Sequence, residues 1–254
     1  MVAGMIRIAL VFFAVLAPLR AEWTFSNAVT LAAPAGIDFV RRSATDGEGS
    51  VELHIVSFRV QAHTFAVMDN PDGAFDLGSA SAKRGALAAV NGGYFHPART
   101  PLGLVVRQGL TIHPLERAKL LSGIVVVRKD RIALLRTDEF RASADVREAL
   151  QAGPFLVDRG KAVAGLNDTR RAARTVVYSD AAGNFGVMIC RSSTLAATAQ
   201  ILATPGALSS GKITRALNLD GGSSTALWVK REASPFYSRE WKGVRNYLAI
   251  VPRP

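Results

Sequence analysis

Two short stretches of this chain combine paired glycines with polar side chains. They are Asn91-Gly92-Gly93-Tyr94-Phe95-His96 and Asn218-Leu219-Asp220-Gly221-Gly222-Ser223-Ser224-Thr225. Glycine has no Cβ, so backbone N–H groups around a glycine pair can converge on one oxygen-rich ligand. Ser223, Ser224 and Thr225 add hydroxyls suited to sugar or phosphate oxygens. Asp220 follows an apolar strand and is placed to meet whatever binds there. Asn-Gly and Asp-Gly are also strong hairpin signals, so either stretch alone reads equally as a tight turn. Between them, Asn167–Thr175 carries Arg170, Arg171 and Arg174. Guanidinium groups match phosphate geometry in a two-pronged way. Arg174 opens a strand and is the stronger candidate; Arg170 reads as a surface residue.

Other chemistries find little support. No HExxH or Cys/His cluster occurs, and the Asp-Gly-Gly-Ser loop lacks the spaced carboxylates of an EF-hand. No metal ligands are assigned and no cofactor is expected, with a divalent cation left open. Gly221-Gly222-Ser223-Ser224-Thr225 lacks the final glycine of a serine-hydrolase nucleophile elbow. The single cysteine, Cys190, lies in the apolar run Gly186–Cys190, so no intramolecular disulfide and no reactive thiol are expected.

The elements that must position these stretches are mostly strands. Ile37–Arg41 reads as an edge strand, and Leu53–Val60 with His63–Met68 as a strand pair. Leu104–Arg107 should turn at Gln108-Gly109, and Ile124–Val127 at Arg128-Lys129-Asp130 into Ile132–Leu135. Pro154–Val157, Thr175–Tyr178, Phe185–Cys190, Ala216–Leu219, Ala226–Val229 and Asn246–Val251 complete the set. Helices are predicted over Ser79–Leu87, over Ser143–Leu150 with Ser143 as N-cap, and over Ser193–Ala203. Short connections favour antiparallel pairing. The expected fold is α+β: a single domain of mainly antiparallel strands with a few helices.

Composition bounds the setting. The chain has 254 residues, enough for one sizeable core. Residues 1–21 hold a positive start and the apolar run Ile8–Ala17. Ten residues fall short of the ~20 a membrane span needs but suit an export signal. The expected organisation is a signal peptide over 1–21, a lead-in over 22–49 and the main domain over 50–254. That implies an exported, periplasmic or extracellular protein with no membrane span once the signal is removed. Loss of Arg7 and Arg20 would lower the net charge from +11 to +9. Such a surface attracts anions, yet no nucleic-acid-binding motif is present, and nucleic acid is not an expected partner.

Four segments in order carry a family resemblance: AAVNGGYF (Ala88–Phe95), QAGPFLVDRGK (Gln151–Lys161), RRAART (Arg170–Thr175) and LNLDGGSSTAL (Leu217–Leu227). VRNYLAIV (Val244–Val251) is a weaker fifth. Over about residues 50–254 the chain resembles the phosphodiester glycosidases, although the disulfide-rich additions of animal members are absent. The resemblance implies an enzyme that cleaves a sugar from the phosphate it is linked to, with a phosphate-linked sugar or glycan as substrate. Departing phosphate carries its charge without protonation, so one carboxylate beside cations could suffice where ordinary glycosidases use two.

On that basis Asp220 is expected to act as base or nucleophile, with Arg174 and Arg171 on the phosphate. Asn91, Gly92, Gly93, Tyr94, Gly221, Gly222, Ser223, Ser224 and Thr225 would hold the sugar and phosphate. His96 is a candidate acid or hydrogen-bond donor. The alternatives are a non-catalytic envelope protein that binds phosphorylated or anionic glycans, and hydrolysis at phosphorus instead of carbon.

Overall fold

The computed structural model describes residues 22–129, 131–208 and 211–253. The expected signal peptide, residues 1–21, and Asp130 of the expected turn lie outside them. Among the described residues the strands form one nine-stranded and two five-stranded sheets, and every pairing is antiparallel. The large sheet holds Ile37–Thr45, Ser50–Phe58, Phe185–Ser193, Ala172–Asp180 and Ile213–Asn218 at its centre. One smaller sheet is built around Gly123–Arg128 and Val146–Ala152, the other around Ala88–Asn91 and Asn246–Pro252.

Alternation along the strands explains how three sheets share one interior. In Gly123–Arg128, Val125 and Val127 face a central core, whereas Ile124 and Val126 face the opposite side. The central core gathers Val56 and Leu217 from the large sheet, Leu150 from the second, and Val90 and Leu248 from the third. Each outer face has its own cover. Helix Leu195–Ala203 packs Ala199, Ile201 and Leu202 on the large sheet, and helix Leu77–Arg84 packs Leu77 on the third.

The molecule is richer in strand than the expected α+β balance, with two α-helices of 8 and 9 residues among the described residues. The helix predicted over Ser143–Leu150 is instead the strand Val146–Ala152, which pairs with Gly123–Arg128 and Val105–Arg107. Ser143 and Asp145 do not cap a helix; both bind the Arg128 guanidinium. Pairing on both edges outweighs a helical preference that was weak at best. The predicted pairing of Leu53–Val60 with His63–Met68 is also absent. Their strands, Ser50–Phe58 and His63–Asp69, lie in different sheets, joined by a corner in which Ala62 and His63 N–H donate to Arg59 O. Phe58 and Phe65 meet edge to face across that corner, ring centres 5.0 Å apart.

Other expectations hold. Val105–Arg107 and Leu110–His113 form a hairpin with positive φ at Gln108 and Gly109 (52° and 82°), the backbone a two-residue hairpin turn requires. Gly123–Arg128 pairs with Ile132–Arg136. The predicted helix over Ser79–Leu87 starts earlier, because Asp76 and not a serine caps it, accepting from Ser79 N at 2.7 Å. The stretch read as a lead-in contributes strands to the large sheet, and Ile37–Thr45, expected at an edge, instead lies between Ser50–Phe58 and the short strands Thr24–Phe25 and Val29–Leu31.

Glu148 is buried in this frame, its two carboxylate oxygens accepting from Val67 N at 3.1 Å and Gln108 N at 3.3 Å. Burial pushes its carboxyl from 4.5 up to about 7. The folded protein therefore holds this proton more tightly than the unfolded chain. Its contribution to stability is complete below about pH 4.5, declines as pH rises towards 7 and is then level, a loss on the order of 3 kcal/mol. Melting temperature should fall between pH 5 and pH 8, and Glu148→Gln should shrink that difference. Equal differences in the two proteins would contradict the assignment.

Candidate active site

The strand Ala88–Asn91 runs between Leu227–Val229 and Asn246–Pro252 and ends at the first glycine pair. The strand Ile213–Asn218 runs beside Ala172–Asp180 and ends at Leu219-Asp220. The two ends are tied by Asn91, which is 0% exposed. Its Nδ2 donates to Asp220 O at 2.7 Å, and its Oδ1 accepts from Thr175 Oγ1 at 2.6 Å and Ala226 N at 3.1 Å. Main chain adds two links: Asp220 N to Gly92 O at 3.0 Å and Leu219 N to Thr175 O at 2.8 Å. The two glycine stretches and the arginine-bearing strand therefore meet at one place.

The glycines serve this convergence differently from expectation. Gly92 N donates to Asn246 O at 2.9 Å and Gly93 N to Asn246 Oδ1 at 2.8 Å, so neither N–H is offered to a ligand. A Cβ on Gly92 would overlap Asn246 Oδ1, and one on Gly93 would come within 2.8 Å of Gln151 O. Gly221 likewise presses against Ala173 O, where a Cβ would stand at 2.8 Å. Gly222 has φ 62° and starts the single 3-10 turn Gly222–Ser224. Asn91, too, is a tie between loops, its side chain committed to protein partners.

Asp220 is the carboxylate at this convergence and is only partly accessible. Its Oδ1 accepts Gly221 N at 2.9 Å, and the Ser224 hydroxyl donates to it. Burial outweighs both donors and holds its pKa above the usual carboxylate value. Tyr94 stands nearby. Its hydroxyl donates to Gly153 O at 2.6 Å and accepts from Asn218 Nδ2 at 3.1 Å. Burial, then the charge of Asp220, pushes the phenol up to about 12, which keeps it a neutral donor.

Arg174 is 8% exposed, with Nε donating to Ser193 O at 2.9 Å and Nη2 to Arg170 O at 2.7 Å. Burial lowers its pKa, and the Cys190 and Tyr94 side chains interact with its charge. Arg171 is exposed and leans on the neighbouring strand, Nη2 donating to Ser192 O at 3.3 Å. Ser224 and Thr225 are buried, and Ser223 is exposed. His96 occupies a surface turn closed by Arg99 N to His96 O at 2.8 Å. Among the described residues no hydrogen bond joins its ring to Asp220, Tyr94 or Arg174.

Three residues of the site went unnamed in the sequence reading of roles: Asn218, Gln151 and Asn246. Asn218 Nδ2 donates to Tyr94 Oη and to the carbonyls of Gly153 and Leu219, and its Oδ1 is buried without a partner. Asn246 Nδ2 and Thr225 Oγ1 are also buried and unpartnered. The signal was available, since Asn218, Gln151 and Asn246 all lie in segments that carry the resemblance. Among the described residues no group of three or more His, Cys, Asp or Glu could hold a metal ion. No helix among them is long and apolar enough to cross a membrane.

The phosphodiester glycosidase family model matches residues 84–251, which include every residue of this site. The chain belongs to the phosphodiester glycosidase family. Its fold is similar to the catalytic domain of zebrafish N-acetylglucosamine-1-phosphodiester alpha-N-acetylglucosaminidase, auto-inhibited by its pro-peptide. There the TM-score is 0.65 at 18% identity, over 91% of this chain and 89% of that one. A hypothetical protein from Synechocystis has a TM-score of 0.60 at 17% identity, over 90% and 64% of the two chains. Among curated proteins, the uncharacterized YigE of Escherichia coli K12 is 30% identical over 79 residues. That is 28% of this chain and only 31% of YigE.

Replacing Asn91 by Ala would leave Thr175 Oγ1, Ala226 N and Asp220 O without their partner. Stability should fall by about 3 kcal/mol or more, since each buried group left unpaired costs roughly 1–3 kcal/mol. Urea unfolding is the check; a midpoint equal to that of the parent would show that Asn91 ties nothing.

Proposed function

We propose that this protein is an exported hydrolase that cleaves the glycosidic C–O bond of a sugar-1-phosphodiester. The observation that carries the reading is the Asp220 carboxylate, its pKa raised by burial and its main chain anchored between two loops by the Asn91 tie. An anion-binding protein without chemistry gains nothing from a carboxylate in its pocket and loses affinity through it. A glycosidase needs one.

In the proposed reaction Asp220 is the general base. A water molecule gives its proton to the carboxylate as its oxygen bonds to the anomeric carbon. The bond from that carbon to the phosphate oxygen breaks, and the electron pair leaves with the phosphate. The products are a free sugar and a phosphomonoester. A base works best when its pKa approaches the operating pH, and burial moves Asp220 in that direction. The Tyr94 phenol and the Arg174 guanidinium are the donors assigned to the phosphate as charge gathers there. Arg174 keeps guanidinium N–H groups beyond those given to Ser193 O and Arg170 O, whereas the single Tyr94 hydrogen must turn from Gly153 O to reach a phosphate. Arg171 and His96 have no necessary part in this chemistry. Action outside the cytoplasm follows from the export-type pattern of residues 1–21.

The purified mature chain should release free sugar from at least one sugar-1-phosphodiester of a panel. Asp220→Asn should lower kcat by roughly 10²–10⁴-fold while the near-UV circular dichroism stays native. The parent's kcat/KM should fall as pH drops through the Asp220 pKa, because only the ionised carboxylate accepts the proton. That acid limb should lie above the ordinary carboxylate range. Full turnover by Asp220→Asn would remove the residue from the mechanism.

A further inference from the structure

A cavity of about 280 Å³ lies between the second and third sheets, at the end of the molecule away from Asp220. The strands Asn246–Pro252 and His63–Asp69 fix that placement. Asn246 holds the first glycine pair, whereas Val251, opposite Thr64 in the same pairing, lines the cavity. Five residues of strand separate the two ends, about 16 Å at a rise of roughly 3.3 Å per residue. His63–Asp69 is an edge strand of its sheet, and the cavity runs along it.

The lining is strongly basic. Arg84, Arg128, Lys129, Arg147 and Arg253 face one acid among the described residues, Glu148. Arg128 is neutralised by Asp145, and Arg253 Nε donates to Val60 O. Among the described residues no hydrogen bond or salt bridge engages the side chains of Arg84, Lys129 and Arg147. Like charges gathered around one hollow repel one another, and a bound anion relieves the repulsion. Glu148 is 7% exposed, and both of its oxygens already accept main-chain N–H groups. Burial holds its carboxyl at about 7, while Arg84 and Arg107 favour its charged form, so it offsets only part of this positive field. Thr64, 9% exposed, also lines the cavity, and its hydroxyl has no hydrogen-bond partner.

We propose that this cavity is a second ligand site, which takes the phosphate of a small phosphomonoester. It is separate from the hydrolase site and stands whether or not Asp220 is catalytic. The charges favour a dianion. A phosphomonoester carries close to two negative charges at neutral pH, and its oxygens match guanidinium groups in a two-pronged way. Phe65, Val127 and Val251 line the same hollow and give the carbon part an apolar wall. The volume lies at the small end for small-molecule sites, which suits an aryl- or triose-sized group and not a glycan chain. A ligand there touches two sheets and ties the edge strand to its neighbour, so binding should also raise the melting temperature.

Calorimetry on the mature chain at pH 8 tests the site with phenyl phosphate, inorganic phosphate and phenol. Phenyl phosphate should bind more tightly than inorganic phosphate, and phenol should not bind measurably. Joint replacement Arg84→Ala and Arg147→Ala removes two exposed side chains and should weaken phenyl phosphate about tenfold or more. Glu148→Gln removes the opposing charge and should tighten it about threefold. Equal affinity in the parent and the double-arginine variant would overturn the proposal. So would binding abolished by Arg174→Ala, which would put the ligand at the Asp220 site, or phenol binding as well as its phosphate. Vesicles containing phosphatidic acid are the last arm. Binding to them without binding to phenyl phosphate would mean a lipid surface in place of a small ligand, and would also overturn it.

Discussion

One buried amide holds this molecule's functional end together. Asn91 closes a strand of one sheet and spends its side chain on the carbonyl of Asp220, the hydroxyl of Thr175 and the N–H of Ala226. These partners belong to a different sheet, to the strand that carries Arg174, and to the entry of a third strand. Hydrogen bonds in so dry a place are strong, and a missing partner is correspondingly costly, so the arrangement is close to all-or-none. The paired glycines follow from the same constraint. Without Cβ atoms at 92, 93 and 221, the loops can approach Asn246, Gln151 and Ala173 closely enough for the amide to reach.

The site that results carries groups whose burial costs stability. Asp220 is held where burial resists its ionisation, with one hydroxyl and one N–H in partial compensation. Asn218 Oδ1, Asn246 Nδ2 and Thr225 Oγ1 are buried nearby with no partner. Buried polar groups are almost always satisfied in folded proteins, so each of these three is a group that a water or a ligand could complete. Cys190 shows the opposite case. Burial raises its thiol to about 12, so it stays protonated beside its register partner Arg174.

The sequence showed where main chain must come close, but not what would fill the space. The glycine pairs were readable as points of close approach, while the neighbours that exploit them, Asn246 and Gln151, stand far away in the chain. Asn91 read as a ligand because an asparagine looks the same whether it faces a sugar or three protein groups. Ser143–Leu150 read as a helix because Ala149 and Leu150 suit either state, and only pairing with strands on both sides decides between them. The corner at Arg59–Ala62 looked like a hairpin for a related reason. Two apolar runs with a short connection do not reveal whether they pair or fold over one another. The position of Asp220 just past a strand and beside the glycine pair was legible, as was the predominance of antiparallel strands, although fewer helices form than expected.

The central claim is that water attacks carbon, not phosphorus, at a site built around Asp220. Hydrolysis of a sugar-1-phosphodiester in ¹⁸O-water, followed by mass analysis of both products, tests it directly. The account predicts the label in the released sugar and none in the phosphomonoester. Label in the phosphate would mean that the P–O bond breaks, and would contradict the account.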